Sequence, residues 1–137
     1  MTDEEAFTLG ENIATTEGSV VFQNEIMQVI QYNPTTEKVA ERPLLIVPPC
    51  INKFYILDLQ PHNSFVKYAV EQGNTVFLVS WINATAENGH LSWDDYVEKG
   101  VFKALDLAKA ISGSTIQNSA RWRLVLEFSA RKVGPKV

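Results

Sequence analysis

Cysteine and histidine, the residue types that often serve as nucleophiles and bases, are rare in this chain. They are the single cysteine, Cys50, and two histidines, His62 and His90. Cys50 follows an apolar run and two prolines, so a strand is predicted to lead into a stiff turn at this point. A turn of this kind presents backbone N–H groups at the carboxyl end of a sheet, where α/β proteins place their sites. The sequence therefore favours the turn around Cys50 as the candidate site.

Structural interpretations are favoured for the other candidates. His62 lies in the polar segment 60–64, which is predicted to start a helix. His90 lies in a loop, and the sequence places no second metal-ligand residue at a suitable spacing from it. Asp94 and Asp95 are adjacent carboxylates, but in the first turn of a predicted helix they are favourable partners of the helix dipole. A metal site needs three or four converging ligands. No metal is predicted, and in the absence of a glycine-rich phosphate loop no cofactor is predicted either.

Length and composition restrict the class of protein. A chain of 137 residues with 45% hydrophobic content can form one core, which is near the usual size of one domain. A net charge of −4 disfavours nucleic acid as a partner. No apolar run is long enough for a membrane span, and the acidic start is unlike a signal peptide. With one cysteine and no internal disulfide, the chain is expected to be soluble and cytoplasmic.

The hydrophobic pattern predicts an α/β fold. Alternation predicts that the second of four strands is half exposed, and a strand–helix–strand order predicts a parallel, right-handed crossover. A short helical turn is expected over residues 54–59. The strands are predicted over residues 19–24, 26–32, 44–47 and 75–81, and the helices over residues 64–72 and 92–113.

Five segments resemble the polyhydroxyalkanoate synthases of the class that polymerises short 3-hydroxyacyl thioesters. They read GENIATTEGSVV (10–21), VPPCINKFYILDLQP (47–61), YAVEQG (68–73), TVFLVSW (75–81) and SWDDY (92–96). The resemblance covers roughly residues 6–113 and stops just before the place of the family's nucleophile motif, Gly-x-Cys-x-Gly. It implies part of an α/β-hydrolase fold, namely the early strands and first crossover helices. Residues 1–113 are then synthase-like, and residues 114–137 are a divergent tail.

The resemblance also implies a chemistry and a site. The intact family enzyme takes (R)-3-hydroxyacyl-coenzyme A, transfers the acyl group to its cysteine and elongates a polyester while releasing coenzyme A. The turn after the third strand donates an oxyanion-hole N–H in this fold, which makes the backbones of Cys50 and Ile51 the candidates. The Cys50 thiol is interpreted as a small, inert packing group. Trp81 and Trp93 could line an acyl channel, but aromatic residues at element ends more often belong to the core.

The tail has two interpretations. In the first, residues 123–127 are the awaited strand and residues 127–131 are a degenerate nucleophile elbow with Ser129 at the reactive position. Glu127 and Arg131 would then replace glycines in a turn that excludes Cβ atoms, and no base accompanies Ser129, so catalysis by Ser129 is disfavoured. In the second, the tail is translated in a shifted reading frame. Suitable codons for residues 121–123, read one base later, give Val-Gly-Gly, and those for residues 127–130 can give Ser-Ser-Ala-Leu. These strings resemble the family's residues after its nucleophilic cysteine.

The favoured hypothesis is an amino-terminal fragment of a polyhydroxyalkanoate synthase that is inactive alone because it lacks the nucleophile, the acid and the base. The alternative is a non-catalytic interaction module that pairs with intact synthase, forms a homo-oligomer or associates with polyester granules, since an incomplete sheet has an unpaired edge and uncovered apolar faces. A third hypothesis is a small hydrolase that uses Ser129.

Overall fold

A five-stranded mixed sheet organises the chain. The computed structural model describes residues 8–41, 43–50, 53–83, 85 and 89–113, and the backbone of residues 123–126. In chain order the strands are β1 Ser19–Gln23, β2 Met27–Tyr32, β3 Leu44–Val47, β4 Asp58–Gln60, β5 Asn63–Ser64, β6 Val76–Trp81 and β7 Arg123–Leu126. The α-helices are α1 Phe65–Glu71, α2 Trp93–Asp95 and α3 Lys103–Ser112, with a 3-10 turn at Phe54–Leu57 and a π-helical segment at Tyr96–Phe102.

The order of strands in the main sheet is β1-β2-β6-β3-β7. Strand β2 is antiparallel to both of its neighbours, whereas β6, β3 and β7 run parallel. The chain passes from β3 through α1 to the adjacent parallel strand β6, so the predicted parallel crossover is confirmed. The mixed α/β class predicted from the sequence is likewise confirmed.

A core cluster lies on each face of the sheet. On one face, Phe77 of β6 packs in a cluster with Ala104 and Ala108 of α3. On the other face, Leu78 packs with Val66 and other residues of α1. Successive residues of a strand point to opposite faces, which is why neighbouring side chains of β6 belong to different clusters.

Strand β2 differs from its predicted half-exposed state. Met27 and Val29 pack into the cluster beside α3, whereas Ile30 and Tyr32 pack into the cluster beside α1. The strand lies inside the sheet, between β1 and β6, and a core cluster covers each of its faces. Burial also extends along all of β3 and most of β6, and the uncovered apolar faces expected from an incomplete sheet are not found at these strands.

Both crossover helices begin and end at the predicted signals. The Ser64 side chain accepts a hydrogen bond from the backbone N–H of Lys67 at the start of α1, and Gly73 follows this helix with φ +81°. Ser92 begins the second helical stretch, residues 93–112, and Gly113 ends it with φ +66°. The seven-residue π-helical segment between α2 and α3 was not predicted.

A small hairpin, formed by β4 and β5, replaces the end of the predicted helical turn 54–59 and the first residue of the predicted helix 64–72. The helical turn expected over residues 54–59 ends at Leu57, and β4 then pairs with β5. Strands of two and three residues are too short to produce a period-2 signal. Across the described ranges, no helix combines the length and the apolar character needed to cross a membrane.

Candidate functional site

The turn after β3 lies at the carboxyl ends of three parallel strands. Val47, the last residue of β3, pairs with Leu126, the last residue of β7, and β6 ends on the other side of β3. Pro48 is buried, and Cys50 is half-buried. The predicted location of the candidate turn is therefore correct. Ile51, the second oxyanion-hole candidate, lies outside the described residues.

The start of this turn is anchored to β6 by an indole. Trp81 Nε1–H donates to the carbonyl oxygen of Pro48 at 2.7 Å, and this hydrogen bond is buried. Trp81 is 7% exposed and belongs to the core cluster beside α3. The expectation that Trp81 is a core residue is confirmed, and its N–H adds a contact with the candidate turn.

A second contact anchors the far side of the turn. The Lys53 ammonium group donates a hydrogen bond to the side-chain oxygen of Asn83, which lies two residues beyond Trp81. Both partners are exposed, so this contact is accessible to water, unlike the indole contact. The end of β6 and the residues just after it thus contact the turn at Pro48 and at Lys53.

The Cys50 thiol lies in surroundings that favour its neutral form. The residue is half-buried and packs against the core cluster beside α3. Burial raises the pKa of the Cys50 thiol, and a hydrogen bond from its own backbone opposes this effect. A raised pKa reduces the fraction of thiolate, which is the nucleophilic form. This environment supports the interpretation of Cys50 as a packing group.

The histidine and carboxylate candidates are not brought to this turn as a cluster. In the part of the chain that the structure describes, no three His, Cys, Asp or Glu side chains are grouped so that they could hold a metal ion. His62 is exposed in the turn between β4 and β5, as expected for a solvated histidine. The helix predicted to follow this segment begins at Phe65, three residues later, and Ser64 provides its N-terminal cap. His90 is exposed in the turn before α2.

The two adjacent aspartates have structural roles, as the sequence indicated. Ser92 and Asp95 form a reciprocal capping box, with the Ser92 backbone N–H donating to Asp95 Oδ2 at 2.8 Å. The hydrogen bonds from Ser92, together with a contact from Lys99, lower the pKa of Asp95 to about 2. Asp94 lies beside it in the same first turn. Trp93 is 63% exposed, so the expectation that it is a core residue is wrong.

One structured polar cluster was not found by sequence reasoning. Asp58 is 1% exposed, and its carboxylate accepts hydrogen bonds from the Thr16 hydroxyl at 2.7 Å and the Thr16 backbone N–H at 3.1 Å. The Ala14 backbone N–H donates to the Asp58 carbonyl oxygen at 2.8 Å. The available signal was an acidic residue between Leu57 and Leu59, since a charge inside an apolar run must be solvated by the protein itself.

The degenerate nucleophile position lies outside the described residues. Ser129 is three residues beyond the end of β7, and the structure describes neither it nor Glu127 and Arg131. Residues 123–126 form the strand expected in the elbow interpretation of the tail.

Comparison with known proteins identifies the family. The family model described as "Poly-beta-hydroxybutyrate polymerase (PhaC) N-terminus" matches residues 1–69. The chain is 59% identical over 112 residues to the poly(3-hydroxyalkanoate) polymerase subunit PhaC of Cupriavidus necator, covering 82% of this chain and 19% of that protein. It is 49% identical over 118 residues to the subunit of the same name from Rhizobium meliloti, covering 86% of this chain and 19% of that protein.

A third relative has lower identity to the chain. The subunit from Haloferax mediterranei is 35% identical over 102 residues, covering 74% of this chain and 21% of that protein. The chain thus spans about a fifth of the length of these relatives. A family model that matches half of the chain, together with relatives at this level of identity, shows that the chain belongs to the PhaC polymerase family.

Proposed function

We propose that this chain forms the oxyanion-binding side of an acyltransferase site that polymerises (R)-3-hydroxyacyl-coenzyme A into polyester. The observation that carries the proposal is the position of the Cys50 turn. It follows β3 at the carboxyl ends of the parallel strands, and Val47 pairs with Leu126 beside it. A nucleophile presented just after β7 would therefore face the backbone of this turn.

The chemistry of acyl transfer explains why a backbone turn is useful there. Attack of a thiolate on a thioester carbonyl places a negative charge on the carbonyl oxygen in the tetrahedral intermediate. Preorganised N–H donors stabilise this charge, and removing one such donor typically costs about 2.7–4 kcal/mol of transition-state stabilisation. The proposed donors are the backbone N–H groups of Cys50 and Ile51, and the Cys50 thiol takes no part in the reaction.

The fold that we propose for the family region is the early part of an α/β-hydrolase sheet. In that fold the nucleophile lies on a sharp turn between a strand and a helix, and a loop after the third strand provides an oxyanion-hole N–H. The parallel strands β6, β3 and β7 support this assignment, since they bring the end of β7 next to the loop after β3. Residues 1–113 would form this region, and residues 114–137 the divergent tail.

These 137 residues are proposed to have no polymerase activity alone. They contain no Gly-x-Cys-x-Gly motif, and their single cysteine lies in the candidate oxyanion turn with a raised pKa. Purified chain incubated with (R)-3-hydroxybutyryl-coenzyme A is expected to release coenzyme A no faster than a protein-free blank. A rate above the blank that survives in a Cys50→Ala variant and disappears in a Ser129→Ala variant would instead support a hydrolase that uses Ser129.

The oxyanion role can be tested in a chimera. Residues 6–113 of this chain would replace the matching segment of the Cupriavidus necator polymerase subunit, and coenzyme A release would be measured. We expect Ile51→Pro, which removes one N–H, to lower kcat by a factor of about 100–1000, the effect of losing one oxyanion donor. The matched variant Cys50→Ala should retain most activity because it keeps its N–H. Full activity in a folded Ile51→Pro chimera would contradict the oxyanion assignment.

A second candidate function is a non-catalytic interaction module that pairs with intact polymerase or with polyester granules in the cytoplasm. Strand β1 favours it, because it pairs only with β2 in the described sheet and carries the exposed side chain of Val20. Co-sedimentation with granules from producing cells tests this function, with Val20→Lys as the variant that should reduce binding. Equal recovery in cells without granules would indicate aggregation.

The tail retains its two interpretations as proposals. The parallel pairing of β7 with β3 supports the elbow-strand interpretation for residues 123–126. The out-of-frame interpretation requires codons that read Val-Gly-Gly in the neighbouring frame at residues 121–123. Sequencing the encoding DNA through this region decides between them.

A further inference from the structure

We propose that Trp81 is a positioning residue for the oxyanion turn and that Gly100 in the π-helical segment fixes the indole in place. The inference rests on the proposed function, because it assigns a role to the contact between this indole and the turn. Trp81 does not touch the reacting atoms in this proposal. It acts through the Pro48 carbonyl group.

The Pro48 carbonyl is a buried acceptor that needs a donor. Pro48 lies beyond the last residue of β3, so its carbonyl group is outside the β-ladder. Trp81 Nε1–H satisfies it at 2.7 Å. A buried carbonyl oxygen left without a partner loses its hydration and gains nothing in return. The indole N–H is therefore the contact that keeps the first peptide of the turn in position.

The indole itself has little freedom to move. A Cβ atom on Gly100 would lie 2.7 Å from two atoms of the Trp81 ring, so only glycine allows this approach. The Tyr96 ring packs against the indole with centroids 5.7 Å apart. The backbone of Trp81 is paired with Met27 in the sheet. Helix, sheet and neighbouring ring together confine the side chain that carries the N–H donor.

Gly100 lies in the π-helical segment, and Lys99 just before it makes two contacts with the turn between β1 and β2. The Asn24 side-chain amide donates to the carbonyl oxygen of Lys99 at 2.9 Å, and the Lys99 ammonium group pairs with Glu25 at 2.8 Å. These contacts fix the segment to the turn between β1 and β2, one residue before Gly100. Single π-helical turns occur frequently at functional sites. Here both contacts are made by Lys99, the residue just before the glycine that touches Trp81.

The anchor matters because the start of the turn is stiff. The proline ring fixes φ at Pro49, so few backbone dihedrals remain between the anchored Pro48 carbonyl and the N–H of Cys50. The Lys53–Asn83 contact restrains the other side of the turn. Loss of the indole N–H would therefore be transmitted to the N–H donors. A displacement of about 1 Å is enough to lower a catalytic rate by roughly a hundredfold.

The first experiment uses the chain as it stands and needs no catalysis. Cys50 is the only cysteine in the sequence, so alkylation by iodoacetamide reports on this turn alone. We expect Trp81→Phe, which removes the N–H, to raise the alkylation rate about fivefold, the factor that corresponds to one ordinary hydrogen bond. Trp93→Phe is the matched control, since that indole is exposed, and it should leave the rate unchanged. An unchanged rate in folded Trp81→Phe overturns the inference.

A shape-conserving variant separates positioning from packing. Replacing Trp81 by β-(3-benzothienyl)alanine keeps the bicyclic ring but puts sulfur in place of the N–H. The rise in Cys50 alkylation should persist in this variant, with the same far-UV circular dichroism as the parent chain. If only Trp81→Phe raised the rate, the effect would come from lost ring volume, and the proposed role of the N–H would be overturned.

The second experiment uses the chimeric polymerase described above. In it, Trp81→Phe should lower kcat about tenfold with little change in KM, since the turn is proposed to stabilise the transition state rather than the bound substrate. A loss of rate in Ile51→Pro without any loss in Trp81→Phe would overturn the positioning role and leave the proposed function intact. No loss in either variant would overturn both.

Discussion

Asp58 shows how a single residue joins distant parts of the chain. It is the buried charged residue of the described core. Its carboxylate accepts hydrogen bonds from the hydroxyl and the backbone N–H of Thr16, 42 residues away in sequence. A buried carboxylate is tolerated only where donors replace its lost hydration. The carbonyl oxygen of Asp58 also accepts from Ala14. The carboxylate therefore fixes the segment before β1 to the hairpin that follows the candidate turn.

Substitution of Asp58 should be costly. We expect Asp58→Ala to lower the free energy of unfolding by about 1–3 kcal/mol, because Thr16 is left with unsatisfied donors in a partly buried site. Urea denaturation followed by circular dichroism measures the change. The control is Asp106→Ala, since Asp106 is an exposed carboxylate on α3. Equal stability of the two variants would contradict the role assigned to Asp58.

Gly100 offers a test in which two effects oppose each other. Glycine to alanine in a helix interior normally stabilises by about 0.8–1.0 kcal/mol. At this position the new Cβ would lie 2.7 Å from the Trp81 ring, and overpacking of a core typically costs about 1–3 kcal/mol. The indole cannot move away easily because its N–H is bonded to Pro48.

Overpacking should therefore win, and Gly100→Ala should destabilise the chain in thermal denaturation. Glu98→Ala, an exposed change two residues earlier in the same segment, should be nearly neutral. A higher melting temperature for Gly100→Ala would show that the indole can move aside without destabilising the chain. Gly100 would then not hold the indole in place.

At the scale of elements, the second helical stretch depends on its first turn. Hydrogen bonds from the backbone N–H and hydroxyl of Ser92, with a contact from Lys99, lower the pKa of Asp95 from 3.8 to about 2. A group whose pKa is lower in the folded state stabilises that state above its ordinary pKa. The contribution of Asp95 should therefore be full above about pH 4 and disappear as the pH falls towards about 2.

The pH dependence of thermal stability tests this role. In Asp95→Asn, the loss of melting temperature between about pH 4 and about pH 2 should be smaller than in the parent chain, because the titrating carboxylate has been removed. Asp94→Asn changes the adjacent carboxylate outside the capping box and should keep the parental slope. If melting temperature depended on pH identically in all three proteins, ionisation of Asp95 would not contribute to the stability of the fold.

Elements with strong local signals could be predicted from the sequence, and those created by tertiary contacts could not. The run Leu44–Val47 followed by two prolines located β3 and the turn after it, and Ser92, Asp95 and Gly113 located the ends of the second helical stretch. These signals lie within a few residues of the feature they specify.

The missed features depend on residues far apart in the chain. The π-helical segment is held by Asn24 at Lys99, a contact across 75 residues. The bond from Trp81 to Pro48 spans 33 residues. Local pattern gives no information about such pairs. The sequence thus located the candidate turn but could not identify the side chain that anchors it.

For the molecule as a whole, the two core clusters share the same strands. Phe77 and Leu78 are both fully buried neighbours in β6, yet they pack on opposite faces, beside α3 and α1 respectively. Loss of either cluster would expose one face of β2, β3 and β6 at once. The two layers therefore cannot unfold independently, because each stabilises strands that the other requires.

A single cooperative transition is the expected result. Phe77→Ala should lower the free energy of unfolding by about 3–5 kcal/mol and Leu78→Ala by about 2–5 kcal/mol. In both variants the midpoints from tryptophan fluorescence and from far-UV circular dichroism should move together, as two-state unfolding requires. Val20→Ala, an exposed change on the edge strand β1, should change the free energy of unfolding by no more than about 0.5 kcal/mol with either probe.

Separate midpoints for the two probes in either core variant would mean that one face of the sheet survives without the other. The anchored turn at the carboxyl end of β3 would then depend on the α3 face alone, since Trp81 and Gly100 both lie on that side.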